Sequence, residues 1–226
     1  MRRFPIARFL LSTHLPFLVM VLAGSYLLVA VILGVAVLVS GPASVSAVDV
    51  AGQVLHWLAV GYGYGAPALL ATVVVHGRTR REFVAQHPVY QLVAAVVLAA
   101  LITGVYAAEA ALYSAAGWTQ AMQPDRPFAA GDYPMIFLAN VSMLSIALVT
   151  GSFAGVAVYR RDGAGALALV PAAGLLVYGG AVHGFFSLPF AQQGLPMAVT
   201  LPAVAAGWVL LWACAREVPL GNRVPA

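Results

Sequence analysis

Four polar residues stand within or at the ends of long apolar runs, where a polar side chain is a candidate for function by default. They are Glu109, His56, Asn140 and His183. All four are expected at a similar outer depth, because Glu109 lies about 28 Å along its helix from Tyr90, the first residue of its run. We interpret them in two ways, as a polar patch that lines an exit path or outer pocket, or as ordinary solvation of helix ends. The second interpretation is favoured because none of the four lies at the midplane.

Other chemistry fits the sequence less well. Two histidines on different helices could ligate a haem axially, although no residues that would orient the imidazoles are recognisable. The string at 60–63, Val-Gly-Tyr-Gly, matches part of a potassium selectivity filter, but no threonine precedes it and it lies inside an apolar run. Glycines four residues apart favour close helix packing instead. The two pairs are Gly61 with Gly65 and Gly151 with Gly155. We predict no catalytic residues, no metal site and no cofactor on this chain.

The composition places these residues in a membrane. Hydrophobic residues make up 62% of the 226 residues and charged residues only 8%, whereas soluble domains are roughly 45–50% apolar. All eleven basic residues are arginine, so the lysine of a Walker-type phosphate loop is missing. ATP and Mg²⁺, if they drive this protein, are therefore expected on a partner chain. The arginines are dispersed at helix ends, so the net charge of +4 does not indicate a nucleic-acid partner.

Segment 76–88 holds the densest charge in the chain and includes the run Gly-Arg-Thr-Arg-Arg-Glu-Phe. Gly77 is expected to end one helix, and Thr79 is expected to cap a short new one because Glu82 follows three residues later. The phenylalanine would lie on the apolar side of this amphipathic helix, and Pro88 would end it. The segment is thus predicted to be a cytoplasmic loop that can contact a soluble partner. The simpler interpretation is an anchor that is attracted to anionic lipid.

The apolar runs predict an all-α membrane protein, a single domain over residues 1–226 with six transmembrane helices. The expected spans are 17–40, 54–75, 90–112, 135–159, 164–185 and 197–215. Residues 1–14 carry three arginines among apolar residues and are predicted to be an amphipathic segment in the membrane interface. Residues 115–134 are expected to form the main outer loop.

The arginines set the orientation of this topology. Ten of the eleven fall on one side, and Arg126 in the outer loop is the exception. Because arginine is retained on the cytoplasmic side of a membrane, both termini and segment 76–88 are predicted to be cytoplasmic. No internal repeat marks a transporter with duplicated halves.

Residues 77–83 resemble the Gly-hydrophobic-Thr/Ser-Arg-Arg-Asp/Glu-Phe segment that follows the second span of type-2 ATP-binding-cassette (ABC) transporter permeases, particularly actinobacterial ones. Six helices, inner termini and an interfacial N-terminal segment extend the resemblance over nearly the whole chain. The run Phe-Phe-Ser-Leu-Pro-Phe at 185–190 stands where such permeases fold short outer helices. In that family the segment after span two is the coupling helix that docks onto the ATPase subunit. The resemblance implies this role for Arg80, Arg81, Glu82 and Phe83, with Arg78 at the usually hydrophobic position.

The resemblance therefore implies a permease subunit of an ABC exporter in the bacterial cytoplasmic membrane. It would pair as a homodimer or heterodimer, contact membrane lipid and be driven by a separate ATPase subunit that binds ATP and Mg²⁺. The polar patch would then be its candidate substrate path. Two alternatives stay open: a membrane anchor or interaction protein that transports nothing, and a haem-binding membrane redox protein.

Overall fold

A computed structural model describes residues 4–41, 45–124, 126–160, 163–182 and 197–215, and all regular secondary structure in these ranges is helical. The helices are α1 (Pro5–Ser40), α2 (Ala47–Tyr64), α3 (Ala66–Val75), α4 (Arg80–Ala116), α5 (Tyr133–Arg160), α6 (Gly163–Val182) and α7 (Met197–Ala215). The prediction of an all-α protein is therefore confirmed for the described part of the chain.

Three of the described helices are long and apolar enough to cross a membrane. They are α1 over Pro5–Val39, α4, and α5 over Tyr133–Tyr159. Helices α2 and α3 together make a fourth candidate, with a bend of 46° where they meet. Helices α6 and α7 are apolar but shorter, over Ala166–Ala181 and Thr200–Ala215. Because about 20 apolar residues cross the hydrocarbon layer, these helices suggest a protein embedded in a membrane.

Helix α5 lies at the centre of the bundle and packs against α2, α3, α4, α6 and α7. In its most apolar stretch 83% of the residues are buried, whereas the share in α1 is 11%. Close contact with α2 depends on glycine. A Cβ atom at Gly151 would meet the backbone of Val60, and one at Gly155 would meet the backbone of Tyr64. The two helices thus touch backbone to backbone, as small residues allow in membrane bundles.

The glycine prediction is confirmed on α5 and wrong on α2. Gly61 has open space where a Cβ would stand, and Gly65 lies at the junction with α3. The glycine of α2 that meets α5 is Gly63, where a Cβ would contact the Leu148 carbonyl. Successive helical residues are about 100° apart, so a residue two positions away points to the other side of the helix.

Two helix boundaries expected from the sequence are absent, one between residues 14 and 17 and one at Pro88. Helix α1 continues through Pro16, so residues 5–14 belong to the same helix as the expected first span. Helix α4 continues through Pro88, so the short helix expected in segment 76–88 is the beginning of a 37-residue helix. A proline removes one N–H donor and frees one carbonyl. In apolar surroundings the chain has no other way to pair the remaining backbone groups, so the helix continues.

The other helix limits follow from local caps. Helix α2 begins before the predicted span because the Ser46 hydroxyl accepts a hydrogen bond from the Asp49 N–H at 3.2 Å. Helix α7 matches the predicted span 197–215. The described part of the predicted loop 115–134 is irregular from Gly117 to Asp132. The end of span 164–185, the run at 185–190 and His183 lie outside the described residues.

Candidate functional site

Residues 77–82, here called the charged corner, connect α3 to α4 through hydrogen bonds at both ends. Gly77 has φ of 75°, and the N–H groups of Gly77 and Arg78 donate to the carbonyls of Val74 and Val73 at 3.0 and 3.1 Å. These bonds satisfy the last carbonyls of α3. At the start of α4, Thr79 Oγ1 accepts from the Glu82 N–H at 3.1 Å. The Glu82 carboxylate accepts from the Thr79 N–H at 2.9 Å, which completes the predicted capping box.

The charged corner presents its arginines at the surface. Arg78 and Arg81 are exposed, and Arg80 and Glu82 are half-buried. The guanidinium of Arg78 lies 3.8 Å from the Glu82 carboxylate, but both side chains are more than 40% exposed, so this ion pair contributes little to stability. An open groove lined by Arg80, Arg81 and Trp212 runs beside the corner. The corner therefore offers positive charge in a fixed arrangement.

Phe83 lies in the core and not on this charged face. It is 1% exposed, and its ring stacks on His87 with the ring centroids 4.8 Å apart. The expected position on the apolar side of the helix is confirmed. Because other parts of this chain cover the ring, the surface available to a partner consists of the arginines and Glu82. Phe83 holds the first turn of α4 against the bundle.

Near the other end of α4, Glu109 caps the start of α2. Its carboxylate accepts from the backbone N–H groups of Ala47 and Val48 at 2.6 and 3.2 Å, and from the Ser46 hydroxyl at 2.5 Å. The Gln120 side chain donates to it at 2.7 Å. Glu109 is fully buried. The unpaired N–H groups and the dipole of a helix N-terminus stabilise an anion in this position.

A buried ion pair ties the loop at 117–132 to the same helix. Arg126 Nε lies 2.7 Å from Asp49 Oδ1, and the two side chains are 5% and 2% exposed. The Tyr106 hydroxyl donates to the same oxygen at 2.9 Å, and the Gln123 N–H donates to Oδ2 at 3.0 Å. Arg126, the one arginine that we expected on the outer side of the membrane, thus has a buried carboxylate as its partner. Sequence reasoning missed Asp49, because it stood at the edge of an expected loop.

The structure brings together two of the four predicted patch residues. His56 and Asn140 line one small cavity beside the ion pair. Glu109 is not among the described residues that line this cavity, and its oxygens are occupied at the start of α2. Ordinary solvation is therefore the wrong interpretation for Glu109, since its side chain is removed from solvent. His183 lies outside the described residues, and the role of the patch in a substrate path stays a prediction.

A second buried polar cluster, missed in the sequence, lies nearer the charged corner. Gln91 Nε2 donates to Ser152 Oγ at 2.8 Å and to the Leu148 carbonyl at 3.1 Å. His87 Nε2 lies 3.1 Å from the same hydroxyl, and Trp208 Nε1 donates to Gln91 Oε1 at 2.8 Å. This cluster joins α4, α5 and α7. The sequence feature that could have revealed this cluster is the four-residue spacing of His87 and Gln91. These two residues share a helix face only if α4 continues through Pro88.

We expect Gln91→Leu to reduce the free energy of unfolding by about 1–3 kcal/mol, because the partly buried Trp208 indole N–H then loses its acceptor and the buried Ser152 hydroxyl loses its amide donor. Adding Trp208→Phe removes that donor and should recover part of the loss. Thermal unfolding of wild type, both single variants and the double variant in detergent measures the coupling. Strictly additive losses would contradict a stabilising hydrogen bond between these side chains.

The described residues include no group of three or more histidine, cysteine, aspartate or glutamate side chains placed to hold a metal ion. The arrangement therefore consists of a charged corner at one end of α4 and two buried polar clusters along it. No protein-family model matches the sequence, and no curated protein or solved structure matches it either.

Proposed function

We propose that this chain is the membrane-embedded permease subunit of an ABC exporter, and that a separate ATPase subunit docks onto the charged corner. The observation that carries the proposal is the fixed geometry of the corner, which is capped on both sides and presents arginines outward from the end of a helical bundle. A free loop would need only its charge to act as an anchor, whereas a shaped surface suits recognition by another protein. The short resemblance to type-2 permeases supports the same assignment.

In this proposal the chain crosses the bacterial cytoplasmic membrane six times, with α2 and α3 as one bent span and both termini in the cytoplasm. The asymmetry of the arginines supports this orientation. Gln86 Oε1 accepts from the Ile6 N–H at 2.9 Å, which places the beginnings of α1 and α4 side by side. The exception, Arg126, is paired with Asp49, so its charge is neutralised within the protein.

The polar cluster below the corner supplies a route for coupling. Phe83, His87 and Gln91 stand one turn apart on the same face of α4. Gln91 is hydrogen-bonded to residues of α5 and α7. A displacement of the corner, driven by closure of two ATPase subunits on a permease dimer, would therefore change the packing of α4 against both helices. Alternation between inward and outward opening requires such movement of one group of helices against another.

The double substitution Arg80→Lys with Arg81→Lys separates docking from anchoring. Lysine keeps the charge that sets topology, but it cannot reproduce the bidentate contacts of a guanidinium. We expect normal membrane levels and at least a roughly tenfold loss of affinity for the ATPase, the size typical of an interface hot spot. The measurements are recovery of the ATPase subunit that co-purifies with wild type, and ATP-dependent export at matched levels.

Arg8→Lys is the matched control, because Arg8 is exposed on α1 and lies outside the corner. It should leave both measurements unchanged. Phe83→Ala does not serve as a test, since truncating a core phenylalanine costs about 3–5 kcal/mol of stability by itself. Absence of any ATPase from purified wild type would contradict the proposed function. Full affinity and coupling in the double variant would leave the corner as a membrane anchor.

A further inference from the structure

A second open groove beside the charged corner is formed by other helices than the first. It has a volume of about 260 Å³ and lies between the start of α1 and the end of α3. Pro5, Ile6 and Phe9 line it from α1, and Thr72 and Val73 line it from α3. His76 and Arg78, which follow the last residue of α3, complete the lining. The groove is therefore mostly apolar along the two helices and polar beside the corner.

Hydrogen bonds hold both walls of this groove in place. Gln86 Oε1 on α4 accepts from the Ile6 N–H at 2.9 Å, which fixes the start of α1. The Arg78 N–H donates to the Val73 carbonyl at 3.1 Å, so this arginine is held next to the wall that α3 provides. Ile6 and Val73 are buried, whereas Phe9 is 52% exposed and stands at the rim. The groove is thus a shaped surface and not a gap between loose segments.

The size and position of the groove suit part of an acyl chain. A cavity of roughly 150 Å³ accommodates a benzene ring, so about 260 Å³ has room for a longer piece of hydrocarbon. The groove lies at the first residues of one candidate membrane span and at the last residues of another. In a membrane, the ends of such spans lie where the acyl chains meet the head groups.

The charge around the groove favours an anionic head group. Residues 5–9 and 72–82 contain four arginines and one glutamate. The Arg78 guanidinium lines the groove, and its exposed pair with Glu82 at 3.8 Å is weak enough for a phosphate to replace. A guanidinium binds phosphate through two parallel hydrogen bonds, and each arginine near a membrane surface attracts anionic lipid. A zwitterionic head group gains less, because its ammonium group faces the same positive charges.

We propose that this groove binds one anionic phospholipid from the leaflet on the side of the charged corner. The phosphate bonds to Arg78, and the first part of one acyl chain lies between Phe9 and Val73. The site is formed by this chain alone and needs neither an ATPase nor a cargo. It therefore does not rest on the proposed function, which is tested at Arg80 and Arg81.

The experiment titrates the purified chain with lipid in a non-ionic detergent, without any ATPase, and counts bound lipids by native mass spectrometry. Phosphatidylglycerol is the anionic probe, and phosphatidylcholine with the same acyl chains is the matched zwitterionic probe. We expect one phosphatidylglycerol per chain, bound roughly 5- to 10-fold more tightly than phosphatidylcholine. Glycerol 3-phosphate, which carries the anionic group without acyl chains, should not displace it at the same concentration.

Two pairs of variants test the two parts of the site. Arg78→Gln should remove the preference for phosphatidylglycerol. Arg81→Gln should keep it, because Arg81 is exposed on the same corner but is not among the described residues that line this groove. Thr72→Phe places a ring in the groove and should weaken binding of both lipids. Val75→Phe is its control, because Val75 is 84% exposed and is likewise absent from the described lining.

Equal affinity of wild type for the two lipids, or equal losses in the two arginine variants, would indicate general attraction to charge and overturn the site. Full displacement by glycerol 3-phosphate would overturn the role of the apolar groove. Dimers that replace the lipid complex and that Thr72→Phe disrupts would assign the groove to a second copy of the chain and overturn the lipid. The expected lipid binding by a chain that captures no ATPase would contradict the proposed function and leave the lipid site in place.

Discussion

Glu109→Gln is expected to reduce the free energy of unfolding by about 3 kcal/mol. The carboxylate accepts hydrogen bonds from two backbone N–H groups, one hydroxyl and one amide in a fully buried position. Glutamine turns one of those acceptor oxygens into a donor that faces other donors. It also removes the negative charge from the start of α2. Each stranded group costs about 1–3 kcal/mol, and the loss at the helix dipole adds to it.

Thermal unfolding in detergent measures this effect, and Asp132→Asn is the control. Asp132 is an exposed carboxylate that accepts from the Met135 N–H at 3.2 Å near the start of α5. Asparagine caps a helix about as well as aspartate, so this change should cost only a few tenths of a kcal/mol. Equal stability of Glu109→Gln and wild type would contradict the capping role. Lost export at unchanged stability would instead favour the predicted substrate path.

Gly151→Ala is expected to cost about 2–4 kcal/mol, because its Cβ would overlap the backbone of Val60 and stand 3.0 Å from the Tyr64 nitrogen. A backbone atom cannot rotate aside as a side chain does. The two helices must therefore separate, and the packing around α5 is lost with them. Unfolding in detergent, followed by circular dichroism, measures the change.

Gly61→Ala is the matched control on the opposite helix. Nothing lies within 4 Å of the position of its Cβ, so alanine meets no obstacle. Alanine is also favoured over glycine inside a helix by roughly 0.5–1 kcal/mol, so this variant should be as stable as wild type or more so. A similar loss in both glycine variants would show that helix packing does not depend on the α2–α5 contact.

The cap at Thr79 and the end of α3 at Gly77 could be predicted because they depend on neighbours in the chain. The capping box joins Thr79 to Glu82, and the end of α3 is closed by bonds over three to five residues around Gly77. Such contacts form wherever the helix itself forms. The helix end predicted at Pro88 was wrong for a related reason. The local effect of a proline is to weaken a helix, but the apolar surroundings leave the backbone no alternative partner.

The buried polar contacts could not be predicted in the same way. Ala47 and Glu109 are 62 residues apart in the chain, and Trp208 and Gln91 are 117 apart. Depth along each helix placed Glu109, His56 and Asn140 at a similar level. It could not show that the last two share a cavity while the first caps another helix, because depth carries no information on rotation about the helix axis.

By itself, the sequence determined the helical class, the apolar surfaces that suggest a membrane, the capped corner at Thr79 and the asymmetry of the arginines. These properties follow from composition and from contacts within one or two helical turns. Only the tertiary structure decided that Phe83 is covered, that Glu109 and Asp49 hold the start of α2 and its loop, and that His56 and Asn140 line one cavity. Each residue turns a helix by about 100°. Rotating a helix about its axis by one residue would therefore give every buried polar group on it different neighbours. That rotation is set by packing around α5, where any side chain at Gly151 would overlap the backbone of Val60.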